Sequence, residues 1–310
     1  MTGPRPLLGG VELGGTKCIC FVGTAPDDIR GQISVPTGSD PETTLHRLVD
    51  QLKAWAGIHG RIAGLGIASF GPIDLAVTSP TYGSITSTAK PGWRNVDVLG
   101  RLAHAFEVPT GFDTDVNGAA LAEGRWGAAR GLRDFAYITV GTGVGVGLIV
   151  AGQRVHGFSH SELGHIRIVR QTGDAWPGAC AFHGDCLEGL VSGPAIAARA
   201  GMRADQIPGD SLTWEPVAHA LAQLLHTLML TTAPRRILIG GGVVEARPAL
   251  FDSVRRALVA SLNGYVDLAA LVGSIDEYVV APGLGALAGP LGALALAADA
   301  YRSDTREMAC

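Results

Sequence analysis

Charge is scarce in this sequence. Only 17% of its 310 residues are Asp, Glu, Lys or Arg, against 47% apolar. Disordered chains are built the other way round, so this composition excludes a mainly unfolded chain and calls for a large interior. Lys and Arg never gather into a run, and 24 basic against 28 acidic residues leave a net charge of -4. Such a balance offers no electrostatic footprint for a polyanion, so nucleic acid is not an expected partner. Long hydrophobic runs are missing too. The longest apolar stretch, Leu284 to Ala298, is interrupted by glycines and Pro290. It falls short of the roughly 20 residues that a spanning helix needs, reads as a buried helix, and leaves no expected membrane partner. Met1 to Pro6 lacks the basic start and hydrophobic run of a secretory leader, so a cytoplasmic enzyme is the expectation. Five cysteines are too few for a disulfide framework. Cys18 and Cys20 share one face of an apolar strand and read as core, Cys310 is terminal, and Cys180 and Cys186 stand among histidines.

Glycine, by contrast, is abundant: 44 residues, gathered at Gly9 to Gly15, Gly141 to Gly147, Gly240 to Gly242 and Gly283 to Gly292. Clustering of this kind marks loops whose backbone must approach a ligand closely. The length suits two domains. Leu7 to Val11 and Cys18 to Val22 read as a β-hairpin around Glu12 to Lys17, and Phe135 to Val140 with Val144 to Val150 repeat the device around Gly141-Thr142-Gly143. Self-similarity of this sort points to two related lobes. Apolar spacing predicts helices over Pro41 to Ala56, Val116 to Trp126, Pro216 to Thr232 and Pro248 to Leu262, and strands over Ile62 to Ala68, Val108 to Phe112 and Ile237 to Ile239. Between them, Phe70 to Asn95 is irregular and longer than connections normally run unless they build a site.

Gly14-Gly15-Thr16-Lys17 offers successive N–H groups, a hydroxyl and an ammonium to a phosphate tail. The spacing is not that of a P-loop, and no helix follows as in a dinucleotide fingerprint. Gly141 to Gly143 is a second such tip, and Gly241-Gly242 a third loop that suits a base or ribose. Asp113-x-Asp115-x-Asn117 closes a strand and opens a helix. Asp113 suits a helix cap, whereas Asp115 is the candidate base, a carboxylate able to orient a hydroxyl and take its proton. Cys180-x-x-His183-x-x-Cys186, with His165 upstream, supplies the two thiolates and two imidazoles of a closed, structural zinc site; His160 stands as an alternative to His165. Glu162 and Glu188 flank this cluster and suit sugar hydroxyls.

Taken in order, Gly10 to Lys17, Asp113 to Asn117, Thr139 to Gly147 and Gly240 to Val243 resemble the phosphate, catalytic and adenosine motifs of the ROK family of sugar kinases, within the actin-like ATPases. Phe70 to Asp74, Tyr82 to Ile85, Thr88 to Trp93 and Cys180 to Gly189 resemble its zinc-containing bacterial fructokinase branch, although Ala89 stands where Pro is expected and Glu12 where related kinases often carry Asp. The resemblance implies an α/β fold of two actin-like (ribonuclease H-like) lobes with a central cleft. One lobe would span residues 1–118, joined by a returning helix over 290–310, and the other 119–289. It places ATP with magnesium on Gly14, Gly15, Thr16, Lys17, Gly141, Thr142, Gly143, Pro194, Gly241, Gly242, Val243, Val244 and Glu245, and it puts the hexose on Glu162, His165 and Glu188, with Lys90 and Asn117 as further contacts. Zinc would sit on His165, Cys180, His183 and Cys186, Asp115 would be the base, and the chain would form a homodimer.

The expected reaction is phosphorylation of fructose at its 6-hydroxyl, with a kinase for mannose or glucose as the alternative. A sugar-responsive repressor of the same family would need a DNA-binding helix pair ahead of the first glycine motif, where only nine residues precede Gly10. An inactive zinc-stapled sugar binder would not need Lys17 and Asp115.

Overall fold

The computed structural model describes residues 5–267 and 273–307. Residues 1–4 and Cys310, at the end of the expected final helix, lie outside them. Packing divides the chain into two compact units. The first takes the residues up to Trp126, the segment His156–His160 and the stretch from Leu287 on; the second takes Gly127–Val155 and Ser161–Ala286.

In the first unit, β1 (Leu8–Leu13), β2 (Lys17–Ala25), β3 (Asp28–Pro36) and β4 (Gly64–Ser69) share one sheet. A short ribbon of β5 (Ser84–Ile85) and β6 (Val96–Asp97) stands apart within the irregular stretch, and β7 (Thr110–Thr114) returns to the main sheet. The order is β3-β2-β1-β4-β7, with β1, β4 and β7 parallel and the other pairs antiparallel. β7 starts later than the sequence reading because Pro109 has no N–H to give the ladder; its carbonyl still accepts from Leu65 at 3.0 Å. β3 was not foreseen. Every residue of β4 is buried, as befits a parallel strand covered on both faces.

Helix α1 (Pro41–His59) is capped by Asp40, whose carboxylate accepts from the Glu42 and Thr43 N–H groups, and it buries Leu45, Leu48, Val49 and Leu52 on one stripe. α2 (Val98–Ala103) is short, and α3 (Asp115–Trp126) follows β7 directly. The C-terminal helix, Ala288–Glu307, lies against β1, β4, β7 and α3. It approaches so closely that a Cβ on Gly66 would strike the Ala293 backbone, and one on Gly292 the backbone of Gly118.

The second unit repeats the plan. β8 (Phe135–Val140), β9 (Val144–Val150), β10 (Gln153–Arg154), β11 (Ile237–Gly240) and β12 (Val279–Val280) are ordered β10-β9-β8-β11-β12, with β8, β11 and β12 parallel. This is strand for strand the order and polarity of the first sheet, so the repeat legible in the glycine tips is a repeat of architecture. Between β10 and β11 run α4 (Leu187–Val191), α5 (Gly193–Ala200) and α6 (Trp214–Thr231). α6 packs Leu221, Leu224, Leu225 and Leu228 into the core at 0–1% exposure, each contributing roughly 1.5–3 kcal/mol. After β11 come α7 (Gly242–Glu245) and α8 (Leu250–Leu262), which begins two residues beyond the expected Pro248.

Candidate active site and metal centre

In the first unit, Gly14, Gly15 and Thr16 form the tip between β1 and β2. Gly14 N–H donates to the Lys17 carbonyl at 3.0 Å. Thr37, wholly buried just past β3, ties the tip from behind: its hydroxyl donates to the Gly14 carbonyl at 2.6 Å and its N–H to that of Thr16 at 3.0 Å. Two carbonyl oxygens that would repel a phosphate are thereby engaged elsewhere. Thr16 and Lys17 are exposed. Burial pushes the Cys18 thiol beneath the tip up to about 11, opposed in part by the charge of Lys90, which is half-buried.

Asp115 lies at the same edge of this sheet. Leu13, Ser69 and Thr114 pair across β1, β4 and β7, so two strand spacings, about 10 Å, separate the end of β1 from the start of α3. Carboxyl edges of parallel strands are where α/β sheets bind ligands. Asp115 Oδ1 accepts the Val116 N–H at 2.9 Å, yet burial outweighs that bond and raises the carboxyl from 3.8 to about 7. Glu12, the penultimate residue of β1, is raised from 4.5 to about 7, chiefly by burial and next by the charge of Asp115, with Lys17 opposing. A carboxyl tuned to neutrality is well placed to accept a proton at physiological pH.

Asp113 does not cap α3. Thr114 immediately precedes the helix, and its Oγ1 accepts the Asn117 N–H at 3.2 Å, the N-cap bond. Asp113 is instead fully buried, its Oδ1 accepting the Thr114 N–H and the Asn117 Nδ2, each at 2.8 Å. Asn117, expected beside the sugar, is 2% exposed and turns its amide to Asp113.

In the second unit the β8–β9 tip is closed by Gly141 N–H on the Gly143 carbonyl at 2.9 Å, and Gly193 N–H, opening α5, donates to the Gly141 carbonyl at 2.7 Å. Gly240 pairs with Thr139 in the parallel ladder, which brings Gly241 beside the tip. Gly241 has φ +91°, and a Cβ there would lie 2.6 Å from the Val140 backbone, so only glycine fits. Gly141, Thr142, Gly143, Pro194 and the run Gly241, Gly242, Val243, Val244 and Glu245 thus gather at the carboxyl edge of the second sheet, with Thr142 and Pro194 exposed.

His165, Cys180, His183 and Cys186 bring one ligand atom each within 4.8 Å of one another. The separations are 3.3 Å between the two Nδ1 atoms, 3.7 Å from Cys180 Sγ to each of them, and 3.5 Å from Cys186 Sγ to His165 Nδ1. A tetrahedral ion with bonds of 2.0–2.3 Å requires edges of roughly 3.3–3.8 Å, which these four of the six edges meet. Burial pushes the Cys186 thiol up to about 11, and a divalent cation is the charge that would turn such a thiol into a thiolate. Arg167 donates to the His183 carbonyl and pairs with Asp185, holding the ligand loop from outside. His160 is not a ligand; its Nε2 accepts the Ile73 N–H at 2.9 Å. Glu188 accepts the Val144 N–H at 3.0 Å and turns its other oxygen to His165 Nε2 at 3.9 Å, and Glu162, exposed, precedes the short turn that carries His165.

Residues 8–300 match the ROK family. The chain belongs to the ROK family. Among ROK relatives, a fructokinase of Pediococcus pentosaceus is 39% identical over 297 residues, spanning 96% of this chain and 99% of its own. A fructokinase of Zymomonas mobilis subsp. mobilis is 40% identical over 301 residues, spanning 96% and 98%. The ROK hexokinase of Thermus thermophilus superposes with a TM-score of 0.76 at 24% identity, covering 96% of this chain and 99% of that one. A ROK glucokinase of Streptomyces griseus, solved with glucose and AMPPNP, gives 0.72 at 25% identity, covering 94% and 99%. The two repeated sheets are therefore the two actin-like α/β lobes of a ROK protein. Sequence reasoning missed Thr37 behind the first ROK tip, and it missed His156, which reaches Asp113 from 43 positions away; neither sits in a motif of its own.

Proposed function

We propose that this ROK protein transfers the γ-phosphoryl group of ATP to the 6-hydroxyl of D-fructose, giving fructose 6-phosphate and ADP. The observation that carries the reading is Asp115, a carboxylate tuned to about 7 at the same sheet edge as the glycine hairpin. The two fructokinases at 39% and 40% identity support the choice of sugar. In this reaction the 6-hydroxyl oxygen bonds to the γ-phosphorus, its proton passes to Asp115, and the bond to the bridging oxygen breaks with its electrons leaving on ADP. Gly14, Gly15, Thr16 and Lys17, with Gly141, Thr142 and Gly143, are assigned to the phosphates, where N–H groups stabilise developing charge. Pro194 and Gly241 to Glu245 are assigned to the nucleoside, and Glu162, His165, Glu188 and Lys90 to the sugar.

Glu12 and Asp115 offer paired carboxylates, donor chemistry that suits a hard dication, and magnesium bound there would neutralise phosphate charge. Zinc is the ion assigned to His165, Cys180, His183 and Cys186, because two thiolates with two imidazoles select it and the closed shell leaves a purely structural role. Homodimer assembly and a cytoplasmic location belong to the same proposal. The test is a coupled ADP-release assay with fructose, mannose and glucose on the wild type and on Asp115→Asn. Turnover is expected to be highest with fructose and to fall about 100- to 10,000-fold in the variant. No ADP release with fructose, or near-normal turnover in Asp115→Asn, would overturn the proposal.

A further inference from the structure

A second polar cluster stands beside the base in the first unit, built by the segment 156–160. This segment folds back on itself: His156 and His160 form an antiparallel bridge, and Gly157 N–H donates to the Ser159 carbonyl at 2.8 Å. Two histidines fix it. His160 accepts from Ile73, and His156 Nε2 meets Asp113 Oδ2 at 3.0 Å. A carboxylate oxygen accepts only, so Nε2 carries the proton and His156 is the donor.

Asp113 is the hub of the cluster. Its side chain is 0% exposed, whereas that of His156 is 37% exposed. A carboxylate buried so deeply is costly unless donors supply both oxygens. Oδ1 holds the Thr114 N–H and the Asn117 amide, one position before Asp115 and two after it. Oδ2 is oriented by His156. Without the imidazole, Oδ2 loses the donor that orients it, and a carboxylate turned out of that position slackens its hold on Thr114 and Asn117. A misplacement of about 1 Å at a reacting group costs on the order of 100-fold in rate.

We propose that His156 is a positioning residue for phosphoryl transfer: its bond to Asp113 keeps that carboxylate gripping Thr114 and Asn117, and so fixes the turn that aims Asp115 at the sugar hydroxyl. The inference rests on the assignment of Asp115 as base. Nothing requires His156 to touch substrate. Its effect therefore belongs in kcat and not in affinity for ATP, a split that a merely structural role would not produce.

The experiment is steady-state kinetics with fructose and ATP on His156→Leu and His156→Gln, with Asp115→Asn alongside. His156→Leu is expected to lower kcat about 10- to 100-fold with the KM for ATP within about twofold of wild type. His156→Gln, whose amide donates from a similar reach, is expected to recover most of kcat. A Leu variant with kcat within about twofold of wild type, a Gln variant no better than Leu, or a loss confined to the KM for ATP would each overturn the proposal. Should the Leu variant fail to fold, Asp113→Asn sets an amide NH2 against the His156 donor and is expected to give the same kcat-selective loss; unchanged kcat overturns the idea. The two readings fail differently. Near-normal turnover in Asp115→Asn removes the base itself, whereas an inactive Asp115→Asn beside a fully active His156→Leu removes only the role of His156.

Discussion

Replacing Asp115 with Asn probes the tuning of the base through stability, independently of turnover. Folding raises this carboxyl from 3.8 to about 7, with burial as the leading cause. The folded chain thus binds that proton more tightly than the unfolded chain does. Its contribution favours folding below about pH 4 and is lost progressively as pH climbs through about 7. Roughly three pH units correspond to about 4 kcal/mol forfeited above neutrality, an upper bound because solvent reaches part of the site. Asn carries no charge at any pH and escapes that loss. It also lifts the charge that helps hold Glu12 near 7, so the neighbouring carboxyl ionises more easily and the two effects add. Thermal unfolding of both proteins across pH 4.5 to 8 reads the result. The variant should melt several degrees higher than wild type at about pH 8, at roughly 2 °C or more per kcal/mol, and the gap should shrink to about a quarter of that at about pH 4.5. A variant no more stable at the alkaline end, or a gap independent of pH, would refute the buried-base picture.

The same raised carboxyl must be ionised to accept a proton, so kcat/KM for fructose should rise with pH through about 7; a profile flat from pH 5 to 8 would count against it. Thr37→Val keeps the shape of the side chain but frees the Gly14 carbonyl, and about a tenfold rise in the KM for ATP is expected, with Thr37→Ser close to wild type. Cys180→Ser, or prolonged chelation, should lower the melting temperature by several degrees and release about one equivalent of zinc per chain by metal analysis.

What could be read without coordinates was whatever repeats locally. The Leu221, Leu224, Leu225, Leu228 spacing of α6 and the two glycine tips follow from periods of a few residues. The metal cluster was legible because three of its four ligands lie within seven residues, whereas the choice between His160 and His165 needed the fold: one imidazole is engaged by Ile73. β3 escaped although Ile29, Ile33 and Val35 alternate with Arg30, Gln32 and Ser34, because Gly31 interrupts the apolar face and the strand lies at the sheet edge. Asp113 was misjudged as the cap because Asp and Thr both cap helices, and only the register of α3 decides which carboxylate or hydroxyl meets the Asn117 N–H. Asn117 was placed beside the sugar because the motif points there, and Asp113 reclaims it once the strand is buried.

The C-terminal helix has a consequence for biosynthesis. Ala288–Glu307 covers β1, β4 and β7, strands translated well before it. A nascent chain therefore carries the face of Gly64 and Gly66 uncovered until that helix has been made, while the second unit already has its own residues. Completion of the earlier-made unit waits on that helix, and a chain that stops short of Ala288 leaves this sheet face uncovered.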